Sequence, residues 1–148
     1  MLLHKQTIFH DPSNKIYGDC HRTAIACLLH LPVLEVPHFG QHFLDPVKYH
    51  GVKETFLNSI GFTEFSVPFD SSFKLDDVLT TIGFYNPTME YMISGYSDRD
   101  VNHTVLCRGT AMIHDPHPDN TFIIGPCDDH RWWVTTLVNF QRSKDTQS

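Results

Sequence analysis

The stretch NKIYGDCHRTA, residues 14–24, decides how the chain is organised. A polar turn with a glycine leads into Cys20, and apolar residues then recur at helical spacing as far as Leu31, which Pro32 follows. This pattern predicts a central core helix that begins at Cys20, with Asp19 as its N-cap. A helix N-terminus stabilises an anion, so a thiol placed there becomes more acidic. Cys20 is therefore a candidate nucleophile, and the alternative is a half-buried structural cysteine.

The composition is typical of one globular domain. The chain has 148 residues, of which 41% are hydrophobic, and this length suffices to bury a core. We expect one domain over residues 1–140 and a polar tail over residues 141–148. The net charge is −6, and the basic residues are not clustered. Because phosphate affinity comes from clustered Lys and Arg, this pattern argues against nucleic acid as a partner.

The sequence also bears on location. No apolar run is long enough to span a membrane, and the first residues, MLLHKQ, are too polar for a signal peptide. We therefore expect no membrane partner, a cytoplasmic location and four reduced cysteines. The oligomeric state is left open.

Helical patterns dominate the first half of the chain, and strand patterns dominate the second. Alternating or β-branched runs occupy residues 88–94, 103–107, 111–113 and 132–138, with turn residues between them. Such segregation predicts the α+β class, with the N-terminal central helix packed on a C-terminal antiparallel sheet.

A nucleophilic cysteine needs a base, and the base needs a group that orients it. His103 opens one predicted strand, and Asp115 follows the next strand across a tight turn at residues 108–110. Antiparallel pairing of these strands would bring His103 beside Asp115, with the imidazole facing Cys20. The backbone N–H of Cys20 and the amide of Asn14 are the predicted oxyanion donors.

These residues resemble a known pattern. An amide, then Asp-Cys at a helix start, then His before apolar residues, then Asp-Pro is similar to papain-like cysteine peptidases, most of all to the compact C39-type branch. Here the pattern falls on Asn14, Asp19-Cys20, His103 and Asp115-Pro116. The chain departs from it at two positions, because Asn14 stands where that branch has glutamine and His21 where it usually has glycine.

The resemblance implies a papain-like fold and a Cys-His-Asp triad that acts through a thioester, without a cofactor. The substrate would be a protein or peptide, cleaved or transferred at an amide or isopeptide bond. Asp19, His21 and Arg22 are candidate cleft residues. Residues 17–24 and 114–118 also resemble small proteins of tailed bacteriophages, which would place the activity in the host cytoplasm, on a host or phage protein.

Two alternatives belong to other functional classes. The spacing His114-x-x-His117 with Cys127-x-x-His130 is that of zinc ligands, and would make the C-terminal half a metal-stapled interaction module. A papain-like domain without catalysis could instead bind a partner through exposed aromatic side chains, because aromatics are favoured interface anchors. The candidates for that role are Phe39, Phe43, Tyr49 and Trp132.

Overall fold

Helices and strands are arranged in the α+β manner that the sequence predicts. The structure, a computed structural model, describes residues 1–141, so the predicted polar tail lies outside the described residues except for residue 141. Within this range there are three α-helices, five strands and three short 3-10 turns. The bounds are α1 Cys20–Leu29, α2 Pro46–Ser59, α3 Leu75–Tyr85, β1 Phe62–Asp70, β2 Glu90–Tyr96, β3 Asn102–Arg108, β4 Ala111–His114 and β5 Arg131–Asn139.

The five strands form one sheet in the order β1-β5-β2-β3-β4, and every neighbouring pair is antiparallel. β2, β3 and β4 follow one another directly. β5 then returns to the other side of β2, and β1 pairs with β5 from Phe62↔Asn139 to Asp70↔Arg131. The expected C-terminal meander is therefore limited to β2–β4, because β1 from the first half of the chain supplies an edge strand.

The two faces of the sheet carry separate cores. Alternate residues of β2 point to opposite faces, so that Met92 packs with α1 and α2 while Ile93 packs with α3. The first cluster contains Ala24, Ile25, Ala26, Cys27, Leu57, Met92 and Leu106, and the second contains Val78, Leu79, Tyr91, Ile93, Val105 and Cys107. α1 is thus held on one face of the sheet with its N-terminus near the start of β3.

The central helix begins at Cys20, as predicted, but ends two residues before the predicted Leu31. His30 adopts the left-handed conformation, with φ 58°, and its N–H donates to the carbonyls of Ala26 and Cys27. This closing turn ends the helix before Pro32 can. Asp19 occupies the N-cap position, yet its side chain makes no capping hydrogen bond. The prediction of a side-chain cap is wrong because that carboxylate is used elsewhere.

Two helical glycines give a matched test of this packing. A Cβ at Gly83 in α3 would overlap the backbone of Gly109 and Thr110, whereas a Cβ at Gly51 in α2 would have no neighbour within 4 Å. We expect Gly83→Ala to lower the free energy of unfolding by about 2 kcal/mol through overpacking. Gly51→Ala should raise it by up to about 1 kcal/mol through helix propensity. Urea unfolding measures both, and stabilisation by both substitutions would contradict the packing of α3 on the turn.

Candidate active site

The structure brings together the three residues that the sequence singled out. Cys20 is the first residue of α1, His103 is the second residue of β3, and Asp115 directly follows β4. His103 Nε2 lies 2.6 Å from Asp115 Oδ1, and both side chains are buried. Because a carboxylate only accepts, Nε2 carries the proton of this bond, which leaves Nδ1 for the thiol. Cys20 and His103 line one cleft of about 640 Å³.

The charges of Cys20 and His103 support each other. Burial opposes ionisation of Cys20, but hydrogen bonding to His103, its positive charge and the N–H of Thr104 together lower the pKa of the thiol. Burial also opposes a charged His103, yet Asp115 and Cys20 raise the pKa of the imidazole to about 9. Each partner therefore favours the charged form of the other.

Asp115 is fixed by a full set of donors. Oδ1 accepts from His103 and from the N–H of His117 at 2.9 Å, and Oδ2 accepts from the N–H of Phe122 at 2.9 Å. Burial raises the pKa of this carboxyl, but these donors outweigh burial and lower it. Asp115 thus stays ionised and holds the orientation of the imidazole.

The predicted oxyanion donor Asn14 does not reach the cleft. It lies at the exposed end of a 3-10 turn, where its Nδ2 donates to Asp11 Oδ2 at 2.7 Å. It is not among the residues that line the cleft around Cys20. The assignment of Asn14 is wrong because the turn directs its side chain to Asp11.

Gln6 is the cleft amide that sequence reasoning missed. Its side chain lines the cleft and is 7% exposed. Nε2 donates to the carbonyl of Ile8 at 2.9 Å, whereas Oε1 is buried and has no hydrogen-bond partner among residues 1–141. One Nε2 hydrogen remains for another acceptor, since an amide nitrogen has two. The available signal was a glutamine in the alternating segment before the turn at Asp11-Pro12.

Asp19, His21 and Arg22 all line the cleft. Arg22 is buried, donates from Nε to the carbonyl of Val36 at 2.7 Å, and lies 3.5 Å from Asp19 through Nη1. The guanidinium of Arg22 is therefore bound to other groups in the wall of the cleft. Asp19 is 1% exposed.

A buried polar cluster lies behind His21. Nε2 of His21 donates to Glu64 Oε1 at 2.6 Å, and Lys53 Nζ is 2.7 Å from Glu64 Oε2. The Tyr49 hydroxyl lies 3.4 Å from the other ring nitrogen of His21. Burial opposes ionisation of Glu64, but His21 and Lys53 bring its pKa down to about 2.

The aromatic residues proposed for partner binding are placed differently from the expectation. Phe39 and Trp132 are buried, at 1% and 3% exposure, and only Phe43 is exposed. Tyr49 is half-buried in the cleft wall. Trp133 lines the cleft instead of Trp132, because adjacent residues of β5 point to opposite faces.

The zinc alternative is contradicted. Among residues 1–141, no group of three or more His, Cys, Asp or Glu side chains is arranged to hold a metal ion. His114 donates to a backbone carbonyl, His117 accepts from a backbone N–H, and Cys127 is buried. With His130, these four side chains have the spacing of zinc ligands in sequence but do not converge in space.

Comparison of the chain with protein-family models, with curated proteins and with solved structures finds no match. Within residues 1–141, no helix combines the length and the apolar character needed to cross a membrane.

The buried carboxylate of Glu64 should make stability depend on acid pH. Its folded-state pKa, about 2, lies below the ordinary 4.5, so its contribution is complete above pH 4.5 and is lost as the pH falls towards 2. We expect a loss on the order of 3 kcal/mol across this window. Urea unfolding at stepped pH should show a shallower fall for Glu64→Gln. The exposed Glu35→Gln should retain the wild-type slope, and equal slopes for all three proteins would contradict the pairing.

Proposed function

We propose that the chain is a papain-like thiol hydrolase of the C39 type, which cleaves or transfers an amide or isopeptide bond through a thioester. The observation that carries this proposal is that Cys20, at the start of α1, lines one cleft with His103. The imidazole of His103 is in turn hydrogen-bonded to the buried carboxylate of Asp115. The α+β architecture, with α1 packed against a C-terminal antiparallel sheet, agrees with the resemblance of the sequence to that branch.

The first step is attack of the Cys20 thiolate on the substrate carbonyl carbon. The carbonyl π-electrons move to oxygen, and the resulting oxyanion needs donors that are already in place. The N–H of Cys20 belongs to the first turn of α1 and has no helical partner. The remaining hydrogen on Gln6 Nε2 supplies the second donor in this proposal, in the role that the sequence analysis predicts for Asn14.

The second step is loss of the amine. The imidazolium of His103 gives its proton to the leaving nitrogen, the C–N bond breaks, and the acyl group remains on Cys20 as a thioester. Water then attacks the thioester, with His103 as base, and releases the carboxylic acid and the thiolate. An amine in place of water would give acyl transfer.

The substrate class follows from the resemblance. A protein or peptide is the proposed substrate, and the resemblance to small proteins of tailed bacteriophages suggests a host or phage protein in the host cytoplasm. The cleft volume of about 640 Å³ falls within the range of about 300–1,000 Å³ that is common for ligand pockets.

Alkylation of Cys20 by iodoacetamide against pH tests the thiolate–imidazolium pair. We expect a fast rate that persists below pH 7 in the wild type, because His103 lowers the pKa of the thiol. In His103→Ala the rate should rise only near pH 8 to 9, as for an ordinary thiol. Peptide mass spectrometry reads the modification at each cysteine.

Cys127 is the internal control in the same samples. It lines the same cleft, but burial raises the pKa of its thiol to about 12, so it should alkylate slowly throughout. If Cys20 and Cys127 share one pH profile, or if His103→Ala leaves the profile of Cys20 unchanged, the hydrolase proposal fails. The non-catalytic binding module would then be the reading to pursue.

Two variants test whether Gln6, as the structure suggests, or Asn14, as the sequence predicts, is the oxyanion donor. Gln6→Ala should slow acylation of Cys20 by p-nitrophenyl acetate about 100-fold, as expected for loss of one oxyanion donor. Asn14→Ala should react at the wild-type rate, because its amide lies outside the cleft. Release of p-nitrophenolate measures acylation, with Cys20→Ala as the blank. A large loss in Asn14→Ala with none in Gln6→Ala would restore the sequence-based assignment.

A further inference from the structure

Residues 4–8, the N-terminal arm, lie between the segments that carry Asp115 and Cys20. At one end, Lys5 Nζ donates to the carbonyl of Asp115 at 2.8 Å and to that of His117 at 3.2 Å. It also donates to Asn120 Oδ1. The backbone N–H of Gln6 donates to the carbonyl of the residue after Asp115 at 2.9 Å. The arm is therefore tied to the loop that follows β4.

The other end of the arm is tied to the residue that precedes Cys20. Asp19 Oδ1 accepts from the N–H of Ile8 at 3.1 Å, and Oδ2 is 3.4 Å from the Thr7 hydroxyl. The N–H of Asp19 in turn donates to the carbonyl of Ile8 at 3.2 Å. The side chain of Asp19 is fully buried. This use explains why its carboxylate does not cap α1.

Gln6 lies between these two attachments. Its Nε2 is bonded to the carbonyl of Ile8, the same peptide group that accepts from Asp19. The position of the Gln6 amide in the cleft therefore depends on where Asp19 holds Ile8. A displacement of about 1 Å at a positioning contact can cost about 100-fold in rate.

We infer that Asp19 is a positioning residue that acts through Gln6, holding the amide of the N-terminal arm at the oxyanion site beside Cys20. This inference rests on the proposed thiol hydrolase function. In this role the buried carboxylate of Asp19 holds the N-terminal arm in position and does not contact the reacting atoms.

The charge of Asp19 and its positioning of Gln6 should have opposite effects on the reactions of Cys20. The negative charge of Asp19 beside Cys20 raises the pKa of the thiol and so opposes the thiolate. Removing that charge should leave alkylation unchanged or faster. Removing the geometric support should slow acylation. The two rates are therefore expected to move in different directions in the same variant.

The test compares Asp19→Ala with the wild type in both reactions, because alanine removes the acceptor of the Ile8 N–H, whereas asparagine would keep one. Acylation by p-nitrophenyl acetate should slow about tenfold or more. Alkylation of Cys20 by iodoacetamide at pH 6 should not slow. A parallel loss in both rates, or acylation at the wild-type rate, would overturn the inference. Asp11→Ala is the matched control, because among residues 1–141 the carboxylate of Asp11 accepts from Ser13 and Asn14, outside the cleft.

A double-mutant cycle tests whether Asp19 acts through Gln6. In the Gln6→Ala background, Asp19→Ala should cause no further loss of acylation, because the amide that Asp19 positions is absent. Additive losses would mean that Asp19 acts by another route, and would overturn the inference.

Lys5→Met tests the same arm from its exposed end if Asp19→Ala does not fold. Introduced into the wild-type protein, Lys5→Met should also slow acylation, and introduced into Gln6→Ala it should cause no further loss. If Lys5→Met is acylated at the wild-type rate, the inference is overturned. Absence of any acyl-enzyme in the wild type would instead overturn the proposed function. The two failures are therefore distinguishable.

Discussion

The hydrogen bond between His103 and Asp115 depends on an irregularity in the sheet, and the candidate site depends on that bond. β3 and β4 change register by one residue before the pair Leu106↔His114. In the earlier register Asp115 would oppose Thr104, on the face opposite to His103, because successive strand residues point to opposite faces. The bulge moves Asp115 by one position and so brings the carboxylate to the face of the imidazole.

The elements of the fold could be predicted because their signals are local, whereas the identity of the amide side chain that lines the cleft could not. Apolar periodicity located the start of α1, and turn residues located the strands that carry His103 and Asp115. The prediction of Asn14 rests on its nearness to Cys20 in sequence. In the structure, an antiparallel bridge between Asp11 and Ile16 reverses the chain, which keeps Asn14 at the surface and returns residues 6–8 alongside the start of α1. Such a reversal is a tertiary contact, and composition does not encode which amide it delivers.

The polar cluster behind His21 could not be predicted from the sequence either. His21 was noted as a departure from the expected glycine, but its partner Glu64 lies on β1, and Lys53 lies on α2. Lys and Glu are ordinarily solvent-facing, and burying either one alone is unfavourable. Here the Glu64 carboxylate lies within 2.7 Å of both Lys53 and His21, so these contacts offset the cost of burying Glu64 and Lys53. They also hold the imidazole of His21 in one orientation.

Three of the four cysteines show why local partners, and not burial or net charge, set the chemistry of this site. Cys107 and Cys127 are buried, and the pKa of each thiol is raised to about 12, with desolvation as the main cause. Cys20 is subject to the same desolvation, yet the pKa of its thiol is lowered. The difference is the imidazolium of His103, which Asp115 keeps protonated. Exclusion of water raises the pKa of the Cys107 and Cys127 thiols, and it strengthens the attraction between the thiol sulfur of Cys20 and His103 once these partners are in place.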